Sequence, residues 1–331
     1  MESVNVVELV PIPRVWERLS LVEQRLNQIT ESEDEFLTKI ARHLIESGGK
    51  RLRPLLAAVA AELGPADDRR PVEAGTAVEL IHVGSLCHDD VIDEASTRHG
   101  IDSVNATWGN TAAILAGDFL MARASEVAAT SLGLEAVVIL ARTYAQLCEG
   151  QVLELELAGE LVQKPADYYR VIERKTASLI RTSARLGAMA SDASPEVVEG
   201  VSTWAWEVGM VFQLTDDLLD LVASEEFLGK PVRSDIAEGK FTLAVLHALE
   251  GSAGDRMHSL LAGGHPYHPD AVAEVAELVH RSGAIERVLA EATERVRRAE
   301  AAAAQLPAGQ ARDVLMSLGR YLLQRVEMAR A

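Results

Sequence analysis

Cysteine is nearly absent. Cys87 and Cys148 are the only two in 331 residues, and both lie inside apolar helical patterns, which fits reduced core thiols and argues against a disulfide framework or a zinc site. No stretch reaches the roughly 20 unbroken apolar residues that a membrane helix needs. The opening MESVNVVELVPIPRVWERL lacks a basic region followed by an apolar one, so no leader is expected and the expected location is cytoplasmic. Basic residues are outnumbered: 32 Lys and Arg face 50 Asp and Glu, a formal charge of −18, which argues against a nucleic-acid surface. An anionic ligand would need a local positive site or a metal.

Aromatic residues are also scarce, at 4%, while Ala, Leu, Glu and Arg abound and apolar residues recur every three to four positions, so an all-α chain is expected. Helical periodicity covers 54–63, 71–95, 110–129, 134–157, 166–190, 195–222, 242–249, 270–280 and 284–305, after an N-terminal helical segment over 1–30. Glycines and prolines interrupt these runs, and 251–269 reads as a flexible loop. With 48% hydrophobic residues the chain can bury a large core. No linker or charge block divides it, so one domain over 1–331 is expected.

The strongest chemical signal is Asp89-Asp90-Val91-Ile92-Asp93. On a helix these three carboxylates crowd one turn, and their repulsion is offset when a hard divalent cation is shared among them. Magnesium suits such a turn, because it takes one or two carboxylates together with phosphate oxygens. Alone the pattern also fits a solvated acidic face. It recurs, however, as Asp216-Asp217-Leu218-Leu219-Asp220, and two such motifs on facing helices would form an acidic funnel for a diphosphate held through Mg2+.

Positive charge gathers elsewhere. GGKRLRP at 48–54 places Lys50, Arg51 and Arg53 after a glycine turn and before an apolar helix, a compact site for a second diphosphate. The bland alternative is a solvated basic helix start. His82 precedes Asp89 by two helical turns and shares its face, and Arg98 follows the first acidic motif closely enough to close over phosphates.

GGKRLRP, LCHDDVIDEASTRHG at 86–100, GDFLMARA at 117–124, EGQVLELEL at 149–157, RKTASLIRTSARLGA at 174–188, FQLTDDLLD at 212–220 and GKPVRSDIAEGKFTL at 229–243 together resemble the trans-polyprenyl diphosphate synthase family. The resemblance spans most of the chain. It implies a single-domain antiparallel helical bundle of the isoprenoid synthase type with a central cavity, acting as a homodimer and joining isopentenyl diphosphate to an allylic diphosphate. By that resemblance Asp89, Asp90, Asp93, Asp216 and Asp220 hold magnesium, with Asp217 in the same catalytic group. Lys50, Arg53 and His82 contact isopentenyl diphosphate, with Arg51 a helper. Arg98, Lys175, Thr176, Gln213, Lys230 and Lys240 serve the allylic diphosphate or flank the carbocation, Lys175 and Lys230 stabilising the departing charge. His99 stands where the family commonly has a second arginine.

The resemblance also assigns the floor of the product cavity to the residues one turn before the first motif, here Gly84 and Ser85. Their small size predicts an open channel and a medium or long product, roughly six to ten isoprene units by helix length, with membrane contact for product release. The alternative is that these residues only permit close helix packing while Phe119 or Met121 supplies bulk, and geranylgeranyl synthesis is then the runner-up. A class I terpene cyclase would lack the 48–54 site. A regulatory subunit of a heteromeric synthase would be expected to have lost an aspartate motif, and neither is lost.

Overall fold

The computed structural model describes residues 6–65, 69–229 and 231–330. Among them the helices of seven or more residues are α1 Pro13–Ile29, α2 Glu35–Glu46, α3 Leu52–Ala60, α4 Arg69–Ile92, α5 Asn110–Val127, α6 Leu134–Leu157 and α7 Pro165–Ile172. They continue as α8 Ser178–Ala190, α9 Pro195–Val222, α10 Leu243–Leu249, α11 Gly254–Leu261, α12 Pro269–Arg281, α13 Ala284–Ala303 and α14 Gln310–Arg330. The fold is all-α apart from a hairpin of two-residue strands, β1 Thr97–Arg98 and β2 Ile101–Asp102. Local chemistry sets the starts. Pro13, Pro165 and Pro269 stand at first helical positions, where a missing N–H costs nothing, and Asp34 caps α2 by accepting from the Leu37 amide at 2.9 Å.

The chain forms two compact units, one of residues 1–145, 179–202 and 305–314 and the other of 146–178, 203–304 and 315–331. In the first, α4 is buried on every side from Pro71 to Ile81, as a helix without a polar face must be. Small residues let neighbours approach it and one another. A Cβ on Gly75 would meet Val22 and Pro54, and one on Gly187 would fall 2.1 Å from the Ala57 carbonyl oxygen. Two arginines carried inward are paired: Arg18 donates to Glu62 at 2.6 Å and to the Ala58 carbonyl at 3.1 Å, and Arg25 donates to Glu73 at 3.1 Å.

The second unit packs Met210, Leu214, Leu218 and Leu221 of α9 with Phe241, Leu243, Val275, Val279, Ile285 and Val288. Each such side chain contributes about 1.5–3 kcal/mol on burial. The apolar stripe fixes how α9 lies and so sets where Gln213, Asp216, Asp217 and Asp220 stand. Within 251–269, read from sequence as a loop, residues 254–261 form α11, because Met257 and Leu261 are buried one turn apart, while 262–268 stay irregular. The run 166–190 is not one uniform helix: a π turn over Glu173–Ala177 separates α7 from α8.

Candidate active site

The first unit holds the basic turn and the first acidic motif. Gly48 and Gly49 take positive φ of 83° and 141°, and Arg51 adopts a left-handed conformation with φ 44°, which costs a non-glycine residue roughly 1–2 kcal/mol. Three partners hold it there. Its guanidinium donates to Glu23, to Glu79 at 3.0 Å and to the Ile45 carbonyl at 2.6 Å. Arg51 is therefore committed to shaping the turn. Arg53, two residues on, is half-buried with its Nε enclosed and unpartnered; burial lowers its pKa to about 10, against the pull of Glu79, so it stays charged at neutral pH. His82 lies one turn beyond Glu79, and burial, then the nearby Arg53 and His99, push it well below the usual imidazole value. Lys50 is exposed.

Asp89 and Asp93 are stacked one turn apart, with the Asp93 amide donating to the Asp89 carbonyl at 2.8 Å just past the end of α4. Asp89 is half-buried and Asp93 exposed, whereas Asp90 is 0% exposed. Its Oδ1 accepts from Arg98 Nε at 2.8 Å and also from Nη2. Arg98 thus anchors the hairpin to the acidic turn. His99 and Gly100 form the hairpin's tip with φ of 51° and 80°, the two positive values a primed turn requires. His99 Cε1 would lie 3.9 Å from a Cβ on Gly49, which places the ring at the basic turn; burial and then Arg98 and Arg51 lower its pKa.

Gly84 does not offer open space. A Cβ there would stand 2.9 Å from Met121 Cε, 3.2 Å from the Gly117 carbonyl oxygen and 3.3 Å from Leu120 Cβ, so this glycine is spent on the close approach of α5. This geometry fits the packing alternative weighed from sequence. Ser85 is only half-buried, donates to the His82 carbonyl at 2.8 Å, and shares a face with Asp89 four residues on. His88, not singled out from sequence, packs over Gly117, where a Cβ would come within 2.2 Å of its Nε2.

The second unit contains a cavity of about 230 Å³ whose polar lining includes Glu154, Lys175, Thr176, Gln213, Asp217, Asp235 and Lys240, and whose apolar lining includes Leu157, Ile172 and Phe241. Lys175 and Thr176 sit in the π turn, a local insertion frequent at functional sites, and Lys175 Nζ donates to Glu154. Thr176 Oγ1 donates to Gln213 Oε1 at 2.7 Å, Gln213 Nε2 donates to Asp217 Oδ1 at 2.7 Å, and Tyr168 donates to Asp217 Oδ2 at 2.5 Å. Thr176 and Gln213 thus belong to a side-chain relay and are not merely bonding local carbonyls. Asp220 accepts from the Ser234 amide at 3.2 Å and hydroxyl at 2.9 Å and from the Asp235 amide at 3.3 Å, capping the short helix Ser234–Ala237. Lys240 lines the cavity and pairs with Glu238 at 2.8 Å. Lys230 lies outside the described residues.

These carboxylates fit a hard cation. Burial, then Asp216 and Asp220, push Asp217 up to about 7, although Tyr168 and Gln213 oppose the shift; Asp235 is raised well above the usual range by burial, Asp217 and Asp220. Carboxylates crowded in this way gain from a shared cation, and carboxylate oxygens are the ligands magnesium prefers. Among the described residues no three His, Cys, Asp or Glu side chains form a ready-made metal cage. Asp90 and Asp220 are buried and committed to protein partners, whereas Asp89, Asp93 and Asp216 keep accessible surface. Sequence reading missed Tyr168 and Asp235; two adjacent tyrosines in a chain this poor in aromatics were the available signal for the first.

The polyprenyl synthetase family model matches residues 34–279. The chain is 40% identical to nonaprenyl diphosphate synthase of Mycobacterium tuberculosis over 92% of its length and 91% of the relative's. It is 38% identical to heptaprenyl diphosphate synthase component 2 of Geobacillus stearothermophilus over 93% and 95%. A crystal structure of a Caulobacter crescentus polyprenyl synthase, complexed with calcium and isoprenyl diphosphate, superposes with a TM-score of 0.89 at 33% identity, covering 98% of each chain. The chain belongs to the polyprenyl synthetase family.

Proposed function

We propose that this chain is a magnesium-dependent trans-prenyltransferase that adds isopentenyl diphosphate units to an allylic diphosphate, giving an all-trans product of medium or long length. The observation that carries it is the likeness to a nonaprenyl synthase across nine-tenths of both chains. Both aspartate motifs and the basic turn are present here. Asp89, Asp93 and Asp216 take the metal, which when bound neutralises charge on the departing diphosphate. Asp90 and Asp220 act from behind, one fixing Arg98 and the other the Ser234 turn.

Lys50, Arg53 and His82 hold isopentenyl diphosphate, with Arg51 setting the turn that presents Lys50 and Arg53 and α4 presenting His82. Lys175 and Lys240 face the allylic diphosphate, which the family resemblance also assigns to Lys230, and the relay from Thr176 through Gln213 to Asp217 orients acceptor oxygens without placing a free carboxylate against the carbocation. Apolar side chains keep water from quenching that cation, and the released diphosphate takes the proton lost after carbon–carbon bond formation. Ser85 lies toward the growing chain. The protein works as a homodimer in the cytoplasm, with transient membrane contact for release of the product; among the described residues no helix is long and apolar enough to cross a membrane.

A second reading has one observation in its favour: a relative is named as component 2 of its synthase, so this chain would be one part of a heteromer. The test is the purified chain alone, given labelled isopentenyl diphosphate with geranyl, farnesyl or geranylgeranyl diphosphate, with magnesium or a chelator. Chelator-sensitive elongation is expected. Elongation only after a second protein is added would support the component reading.

A further inference from the structure

The hairpin over 97–102 has strands of two residues, too short a ladder to keep its shape in water unaided, so its position is set from outside. Its base is tied to the end of α4: Ser103 Oγ donates to the Ala95 carbonyl at 2.6 Å, and Asn105 Nδ2 donates to the Ala95 and Asp90 carbonyls at 3.0 and 3.1 Å. The other strand reaches a different helix. His43, in the last turn of α2, meets the Asp102 carbonyl through Nε2 at 2.7 Å, and because a carbonyl only accepts, that nitrogen carries the proton. The ring is half-buried and backed by Trp108, whose indole lies edge-on to it with centroids 4.9 Å apart. Trp108 also packs against Phe36 and under the Lys39 ammonium, two turns and one turn earlier on the same face of α2.

We propose that His43 is a positioning residue for the isopentenyl diphosphate site, holding the hairpin at a fixed distance from the basic turn; this rests on the prenyltransferase reading. α2 ends at Glu46, and the chain passes through Ser47, whose amide bonds back to the His43 carbonyl at 3.2 Å, into Gly48 and Gly49. The residue that grips β2 therefore stands on the helix that delivers Lys50 and Arg53. Beside that turn the hairpin tip carries His99, whose Cε1 would be 3.9 Å from a Cβ on Gly49. His43 and Asp102 are 59 positions apart, so their bond joins two walls that the local chain does not connect. Arg98 keeps its own hold on Asp90, and loss of the His43 bond frees the tip bearing His99 while the acidic turn stays in place.

The test compares His43→Phe, which keeps a ring beside Trp108 without a donor, with His43→Gln, whose amide N–H reaches the same carbonyl. In steady-state assays of the full chain with farnesyl diphosphate and magnesium, His43→Phe is expected to raise the isopentenyl diphosphate KM about threefold to tenfold, the effect of one ordinary hydrogen bond. The farnesyl diphosphate KM should not change, and amide exchange over Thr97–Asp102 should quicken. His43→Gln should stay within about twofold of the parent on all three readouts. A parent-like isopentenyl diphosphate KM in His43→Phe would overturn the proposal. So would a loss in His43→Gln equal to that in His43→Phe, or a rise in both KM values together with a lower melting temperature. A parent chain that does not elongate farnesyl diphosphate would overturn prenyl transfer instead; calorimetric titration of isopentenyl diphosphate into the same three proteins would then decide His43, and a parent chain that does not bind it would overturn both.

Discussion

Phenylalanine placed at Gly84 and, separately, at Ser85 should have opposite consequences, although the residues are neighbours. At Gly84 a Cβ already meets the Gly117 carbonyl at 3.2 Å and Leu120 Cβ at 3.3 Å. The carbonyl is backbone and cannot swing away, so a benzyl group must part α4 from α5. Overpacking of this kind costs about 1–3 kcal/mol or more. In a unit of this size each kcal/mol moves the melting temperature by about 2–4 °C, so Gly84→Phe should melt roughly 5–10 °C lower or fail to fold. Gly84→Ala is the control: its Cβ presses chiefly on the flexible end of Met121 at 2.9 Å, and about 1 kcal/mol of helix propensity offsets that strain. Ser85→Phe adds its bulk on the face that carries Asp89 and should leave stability within about 1 kcal/mol while shortening the product. Thermal melts paired with mass analysis of products check both. A Gly84→Phe protein with parent-like melting and shortened products would refute the packing role, and Ser85→Phe with unaltered products would refute the channel face.

Tyr168→Phe removes the donor to buried Asp217, so denaturant unfolding should show a loss of about 1–3 kcal/mol, with kcat lowered and the isopentenyl diphosphate KM unchanged. Asp90→Asn weakens the hold on Arg98; a loss of about 2 kcal/mol and faster amide exchange over Thr97–Asp102 are expected, and unchanged exchange would count against the anchor. The His99 pKa is lowered from 6.5, so the folded state takes a proton less readily than the unfolded chain and loses stability as pH falls through about 6.5. An incoming diphosphate favours the charged ring, so isopentenyl diphosphate should bind more tightly as pH falls through that range. His99→Arg should flatten this slope relative to the parent measured in the same buffers, and an identical slope would exclude the ring.

Long helices with clear starts were legible in the sequence: 134–157 and 195–222 match α6 and α9, because each carries many turns of apolar periodicity. The π turn at Glu173–Ala177 was not, since a local widening of one turn hardly disturbs that period. Nor was the hairpin over 97–102: its strands are two residues long, and His99-Gly100 is a weak turn signal beside Asn-Gly. The acidic and basic motifs were readable from residue type and spacing, but spacing assigns a face and not a partner. Nothing in the order of residues distinguished Asp90, turned into Arg98, from Asp89 one position earlier. Gly84 shows the same limit, because its role depends on the Gly117 carbonyl, a residue 33 positions away.

The most direct measurement is the mass of the longest product made by the purified chain alone from farnesyl diphosphate and excess isopentenyl diphosphate, with magnesium and with a chelator. Products beyond twenty carbons that vanish with the chelator are expected. Absence of any elongation with magnesium, or growth that stops at twenty carbons, would contradict a self-sufficient synthase of medium or long chains.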